Sequence, residues 1–383
     1  MDKKIINVAV IGAGSMGRTH SYAIKNIPFY YKDIPFLPVC HTIMSRSIDK
    51  AEKMKNEYGY MYAASDYEKV VSDPEIDIIY ICTPNIYHYD QIKSALEHGK
   101  HIMCEKPLVV NGAECDKLQS LLEKHQGLIH RTVFNNRHLP VTMRAQQIVE
   151  EGKLGRILSF RASYRHSSAT DKQKNAGWKQ NKDICGGGVL FDLGSHIIDL
   201  LNFILCGGDN DFESVCGLSQ IAYPERKGID GQIWKTNADE AFYALAKLKC
   251  GACGTFEVSK VTVGTNDDIF VEIFGEDGAL RFDLMQPNFL EFYDNTSIKA
   301  PYGGYSGFTR IECTQRYDEP GGFFPSSKAP INLLRGHVHN MYCMLENVYS
   351  GRNSHPDFYD GIKVNRIMEA AYKSSVSGKW ENV

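Results

Sequence analysis

The feature that most constrains the fold lies at the start of the chain. The apolar run at 5–11 ("IINVAVI") leads directly into Gly12-Ala13-Gly14-Ser15-Met16-Gly17 and then into a helix-like segment. A short continuous apolar run reads as a strand buried on both faces, as in parallel sheets covered by helices. The six residues after it follow the pattern G-x-G-x-x-G. Its first glycine permits a tight turn, its second lets backbone approach a pyrophosphate, and its third lets helix pack on strand. The pyrophosphate would rest on amide donors at the helix N-terminus. Alone this pattern is weak; as the first strand–turn–helix of an alternating chain it points to dinucleotide binding.

The alternation is present. Strand-like runs recur near 39–45, 77–82, 100–104 and 128–134, and helical patterns such as "YHYDQIKSALEHG" and "NGAECDKLQSLLEKHQG" fill the gaps and end in glycine. Strand alternating with helix predicts a parallel sheet with helices on both sides. Residues 28–38 ("PFYYKDIPFLP") read as a surface insertion in the first crossover. After about residue 152 the runs become long, β-branched or aromatic, joined by Gly or Asp turns. That predicts mainly antiparallel sheet, with one helix inserted at 188–205. Residues 299–330, rich in Gly, Pro, Ser and aromatics, read as a long loop, and 359–376 as a helix. At 383 residues the chain suits two domains.

Composition excludes several classes. Net charge is −3 with no block of like charge, so neither a nucleic-acid stripe nor a membrane-surface face is indicated. No apolar leader precedes the first strand, and no later run reads as long enough to span a bilayer. The eleven cysteines are scattered, which reads as reduced buried thiols in a cytoplasmic protein. Cys250-Gly-Ala-Cys253 is the one close pair. Without a second pair it reads as two small residues beside a strand turn, not as half of a zinc site.

Three places carry chemistry. The second strand ends Met44-Ser45-Arg46-Ser47, with no acid. A hydroxyl followed by a guanidinium suits a 2′-phosphate and favours NADP, although Arg46 could also stack on the adenine of NAD. The fourth alternating run ends in Glu105-Lys106-Pro107. A buried ammonium is costly unless something nearby needs its charge. In an open α/β sheet, ligands bind outside the carboxyl ends of strands, so Lys106 would meet the reacting end of a nicotinamide cofactor. There it would stabilise an alkoxide-like oxygen during hydride removal. By itself it reads equally as a lysine snorkelling at a strand end. In "GGGVLFDLGSHIIDLLNFIL" (186–205), Leu193, Ile197, Leu200, Leu201 and Ile204 form a core stripe, while Asp192, His196 and Asp199 form a polar one. His196 suits taking a hydroxyl proton, with Asp192 orienting it or bonding the substrate. An exposed helix with a stray histidine fits those residues as well.

Taken together, these segments resemble the glucose–fructose oxidoreductase/inositol dehydrogenase (Gfo/Idh/MocA) family. The motifs are GAGSMG, the "TPN..YH" of Thr83, Pro84, Asn85 and His88, "CEKP" at 104–107, "GRILSF" at 155–160 and "GGG...D.G.H..D" at 186–199. They occur in the family's order over essentially the whole chain. The resemblance implies an α/β protein: a Rossmann dinucleotide-binding domain over 1–134, then a substrate-binding and oligomerisation domain over 135–383. The second domain would carry an open, mainly antiparallel sheet, and its C-terminal helix would pack back toward the first. It implies that Lys106, Asp192 and His196 correspond to the family's catalytic Lys, Asp and His. It also implies that Thr83, Pro84, Asn85, His88 and Glu105 join the glycine turn in holding NAD(P).

The first 110 residues are most similar to members that oxidise a pyranose ring hydroxyl, typically at C3. Ser45-Arg46 is the departure, because those members have an acid there. Sugar recognition calls for planar hydrogen-bonders and an aromatic platform, for which Asn135, Arg137, Tyr164, His166, Trp178 and Lys179 are candidates; each reads equally as a surface or packing residue. The expected activity is NAD(P)-dependent oxidation of a secondary ring hydroxyl of a pyranose, anhydrosugar or glycoside. Lys106 supplies the positive charge, so no metal is required. Oxidation of an inositol is an alternative. So is hydride shuttling between sugars, or transient oxidation that assists a glycosidase, on a tightly held cofactor. A non-catalytic dinucleotide-binding regulator would be expected to lack Lys106 or His196, and both are present. An open sheet with an apolar face predicts a homo-oligomer, a dimer or tetramer.

Overall fold

In chain order the first elements are β1 (Lys4–Ile11), α1 (Ser15–Tyr30), β2 (Phe36–Met44), α2 (Ile48–Tyr58), β3 (Tyr62–Ala64), α3 (Tyr67–Val71), β4 (Ile78–Ile81), α4 (His88–Glu97), β5 (His101–Cys104), α5 (Gly112–Lys124) and β6 (His130–Thr132). There follow α6 (Pro140–Glu150), β7 (Ile157–Arg165), α7 (Lys182–Cys185), α8 (Ser195–Ile204), β8 (Phe212–Gln220), β9 (Glu225–Lys227), β10 (Ile233–Lys235), β11 (Ala241–Leu248) and β12 (Cys253–Ser259). The chain ends with β13 (Asp268–Gly275), β14 (Gly278–Asp283), β15 (Phe289–Asp294), β16 (Thr309–Glu312), α9 (Leu333–Ser350), α10 (Phe358–Ser377) and β17 (Glu381–Asn382). This computed structural model describes residues 3–171, 173–228, 230–297 and 300–383; residue 299, where the expected loop begins, lies outside them.

Two units result, Met1–His138 with Gln315–Lys363, and Leu139–Thr314 with Val364–Val383. The first is a parallel sheet in the order β3-β2-β1-β4-β5-β6. Side chains of β1 alternate between its faces. Ile6, Val8 and Val10 join a core with Ala23, Ile24 and Ile27 of α1. Ala9 and Ile11 join the opposite core with Ile92 and Leu118. The strand order reverses beside β1, which places a ligand site outside the carboxyl ends of β1, β4 and β5.

The expected boundary after 134 is corrected here, because 315–363 return to the first unit. The reason is α9, whose Val338, Met341, Met344, Leu345 and Val348 complete the core containing Val8. Phe358 and Ile362, in the first turns of α10, join the other core. The surface insertion at 28–38 is corrected too. α1 runs to Tyr30, β2 begins at Phe36, and Tyr31, Ile34 and Phe36 are buried. Tyr31 stacks on Tyr342 of α9 with ring centroids 3.9 Å apart, so these aromatics face a helix and not water.

The second unit holds a nine-stranded sheet, β16-β15-β14-β13-β7-β12-β11-β8-β17, antiparallel except where β7 meets β12. The stretch expected as a long loop contains β16, which pairs with β15. By length and composition Lys182–Ile204 could cross a membrane, contrary to the sequence reading; 78% of its most apolar 18-residue window is buried within the protein, as in a core helix. The cysteines are all thiols, but only five are buried, and Cys206 and Cys253 are exposed. Cys250 and Cys253 flank the turn between β11 and β12.

Candidate active site

In the first unit the site grows from the glycine turn. Gly12 has φ +120°, and a Cβ there would meet the Cys82 carbonyl oxygen at 2.7 Å. A Cβ on Gly17 would collide with the Gly12 carbonyl oxygen, so strand and helix pack only with glycine there. Gly14 is different: a Cβ would project into open space. That space lies at the start of α1, where no side chain caps the helix. Uncapped amides beside an open cradle fit a pyrophosphate. The packing explains why the outer glycines of the turn are needed.

Ser45 and Arg46 follow β2 on the same sheet edge. Arg46 is exposed, with its guanidinium carbon 5.8 Å from the Tyr87 ring centroid, and Ser45 Oγ accepts the Ser47 N–H at 3.4 Å. After β4, the Thr83 hydroxyl donates to Gln91 Oε1 at 2.6 Å, and Pro84 leads into a 3₁₀ turn that begins with the buried Asn85. His88 is fully buried. Its Nε2 lies 2.9 Å from the Thr83 carbonyl and its Nδ1 3.0 Å from the Pro107 carbonyl. Burial holds the imidazole below its ordinary range, although those carbonyls oppose the shift. His88 thus sits between the loops after β4 and β5, its single neutral-ring N–H donating to one of these two carbonyls, where the sequence reading expected a cofactor contact.

Glu105 is also turned inward. Its Oε1 is 2.6 Å from His20 Nε2, and its Oε2 accepts the Lys106 N–H at 3.2 Å. Burial alone would raise its pKa, but the hydrogen bond and charge of His20, with the charge of Lys106, bring it down to about 2. His20 Nδ1 in turn lies 2.6 Å from the Tyr80 hydroxyl. Lys106 itself is half-buried at the carboxyl end of β5, two strands from the glycine turn.

Asn135 and Arg137 fall in a buried 3₁₀ turn of this unit, Asn135–His138. Asn135 Nδ2 donates to Asn136, and Arg137 pairs with Asp360 at 3.1 Å. Both were expected to bind sugar, yet these groups are already engaged inside the unit. Nearby, His138, His339 and Cys343 place ligand atoms close enough to hold a metal. Arg131 donates to His138 Nε2. Arg335 donates to the Tyr31 hydroxyl, which lies 2.7 Å from His339 Nδ1. Arginine only donates, so the His138 lone pair a metal would need is committed to Arg131.

In the second unit, a π-helical turn at Leu190–Gly194 precedes α8 and carries Asp192; the sequence reading expected one regular helix. Asp239 anchors its start, accepting the Gly188 and Leu190 N–H groups and the Tyr372 hydroxyl. Asp192 receives Lys179 Nζ at 2.9 Å and Lys260 Nζ at 2.7 Å. Asp192 and His196 are half-buried, whereas Asp199 is 1% exposed, so the expected polar stripe stops at His196. The apolar stripe of α8 is buried as expected.

The Tyr164 ring centroid lies 6.0 Å from that of His196 and 6.1 Å from that of His166. The Tyr164 hydroxyl, pushed well up by burial, donates to Asp267 at 3.3 Å. His166 is held below its ordinary range by burial and then by the Lys260 charge, and its Nδ1 accepts the Ser168 N–H. Trp178 is 37% exposed, with the Lys179 ammonium 5.7 Å from its ring centroid. The structure thus brings Tyr164, His166, Lys179, Asp192 and His196 together within the second unit. The sequence reading missed Lys260, Asp239, His20 and Tyr80. Lys260 alone left a signal, a charge closing the strand-like "TFEVSK", as Lys106 closes its own run.

Residues 6–132 match a model described as an oxidoreductase family with an NAD-binding Rossmann fold, and 142–281 match the GFO/IDH/MocA C-terminal domain. The chain is 27% identical to levoglucosan dehydrogenase of Pseudarthrobacter phenanthrenivorans over 391 residues, covering 99% of this chain and 98% of the relative. It is 24% identical to D-glucoside 3-dehydrogenase of Escherichia coli, over 99% of this chain and 97% of the relative. A structure of levoglucosan dehydrogenase in complex with NADH and levoglucosan superposes with a TM-score of 0.93 at 27% identity, covering 99% of this chain and all of that one.

Proposed function

Because the chain belongs to the Gfo/Idh/MocA family of NAD-binding Rossmann-fold oxidoreductases, we propose that it oxidises a secondary ring hydroxyl, at C3 in particular, of a pyranose, anhydrosugar or glycoside. The observation that carries this reading is the placement of Lys106. It stands at the carboxyl end of β5, on the same sheet edge as the open cradle of Gly14. Likeness to levoglucosan dehydrogenase along 99% of the chain supports the sugar class.

In this proposal the amides opening α1 bind the pyrophosphate, and Ser45 and Arg46 bind the adenosine ribose, favouring NADP through its 2′-phosphate. The bound nicotinamide supplies a hydride acceptor. Lys106 stabilises the substrate oxygen as negative charge builds on it. His196 takes the hydroxyl proton. Asp192, held between two ammonium groups, acts as an acceptor for a neighbouring sugar hydroxyl. Tyr164, His166, Trp178 and Lys179 supply the further sugar contacts. Leu218, Tyr243 and Leu245 expose apolar surface on neighbouring strands of the second sheet, and we assign that face to a second copy of the chain. The cysteine thiols suit a reducing compartment, the cytoplasm.

The test is an initial-rate assay of NAD⁺ and NADP⁺ reduction over levoglucosan, free hexoses, glycosides and inositols. Turnover of a pyranose-type substrate is expected. Turnover of inositols alone would transfer the assignment to cyclic polyols, and no turnover of any of them would contradict the proposal.

A further inference from the structure

We infer that His20, backed by Tyr80, is a positioning residue for Lys106: it clamps the Glu105 carboxylate, which in turn fixes the backbone from which the lysine projects. This rests on the reading of Lys106 given above. His20 is fully buried on α1, Tyr80 is 1% exposed on β4, and their rings lie 4.2 Å apart. Burial raises the Tyr80 hydroxyl well above its ordinary range, so it keeps its proton, and its oxygen lies 2.6 Å from His20 Nδ1. An ionised carboxylate only accepts, so His20 Nε2 donates to Glu105 Oε1, 2.6 Å away. The second carboxylate oxygen takes the Lys106 N–H.

Other titratable groups that feel the Glu105 charge are His337 from α9, His88 at the start of α4, Cys82 after β4 and Cys104 at the end of β5. Burial holds His337 down at about 3, so it stays neutral. An apolar trio of similar volume would stabilise a core at least as well as this buried polar chain. What the polar chain adds is geometry. α1 starts at the glycine turn, so the helix that offers its amides to a dinucleotide also holds the residue preceding Lys106. A displacement of about 1 Å in a reacting group costs on the order of 100-fold in rate.

The experiment compares His20→Leu, His20→Gln and Tyr80→Phe in the full chain by NADH fluorescence titration, melting temperature, kcat and KM, using the sugar turned over fastest in the panel above. His20→Leu is expected to bind NADH within about threefold of the parent and to lose about 10- to 100-fold in kcat. His20→Gln, whose amide reaches the Nε2 position, regains most of that loss. Added to Lys106→Met, His20→Leu costs nothing further. Full turnover by a folded His20→Leu, absence of rescue by Gln, or an additive loss beside Lys106→Met overturns the inference. If His20→Leu does not fold, Tyr80→Phe decides: a kcat loss of at least about threefold at unchanged KM is expected for this gentler change, and unchanged kcat overturns it. Wild-type turnover by Lys106→Met would refute both this inference and the reading beneath it; an inactive Lys106→Met with a fully active His20→Leu refutes the inference alone.

Discussion

A carboxylate buried as deeply as that of Glu105 stays ionised only through what touches it, and none of its partners but Lys106 is near in sequence. Lys106 and His196 stood out because a charge or imidazole interrupts an apolar run, a signal carried by neighbouring residues. The inward turn of Glu105, and the pairing of Asp192 with Lys260, depend on residues 85 and 68 positions away, which no local pattern encodes. Arg46 gives a prediction at this scale. If it binds a 2′-phosphate, Arg46→Ala weakens NADP by about 1.5–3 kcal/mol, the size of a hydrogen bond to a charged group. NAD binding changes little. Fluorescence titration with NADPH and NADH measures both, and equal loss for the two, or none, contradicts the assignment.

At the level of elements, every strand of the parallel sheet except the three-residue β3, and the helices α4 and α5, were legible because period and punctuation agree: apolar runs of strand length, then polar helices closed near glycine. α9 was missed although its apolar spacing is regular, since polar groups such as His337, Asn340 and Asn347 are buried among those residues and dilute the stripe. The same long-range partnership hid the burial of Tyr31 and Phe36, whose neighbours are Tyr342 and Tyr349 some 300 residues on. The π-helical turn before α8 had no sequence signature. Its start is held by Asp239, which receives two amides there, a contact made across about 50 positions.

At the level of the whole molecule, buried histidines make stability depend on pH. His130 and His337 are held near 4 and 3 by burial, against ordinary values of 6.5. Above pH 6.5 neither state binds the proton. As pH falls below 6.5 the unfolded chain takes protons that the folded chain refuses, so stability drops by about 1.4 kcal/mol per pH unit for each group. Glu105, depressed from 4.5 to about 2, continues the loss from pH 4.5 downward. Thermal melts are therefore expected to show a melting temperature that is flat near pH 7–8 and falls steadily from pH 6.5 to 4. A melting temperature constant down to pH 4 would contradict this. The most direct test of the proposed reaction is Lys106→Met, which keeps the apolar stem and removes only the ammonium, read by NADH titration beside steady-state sugar oxidation. The account predicts a folded protein that still binds dinucleotide and has lost at least about 100-fold in turnover, as loss of one oxyanion donor does. Near-normal turnover from Lys106→Met, with or without a loss of stability, would contradict it.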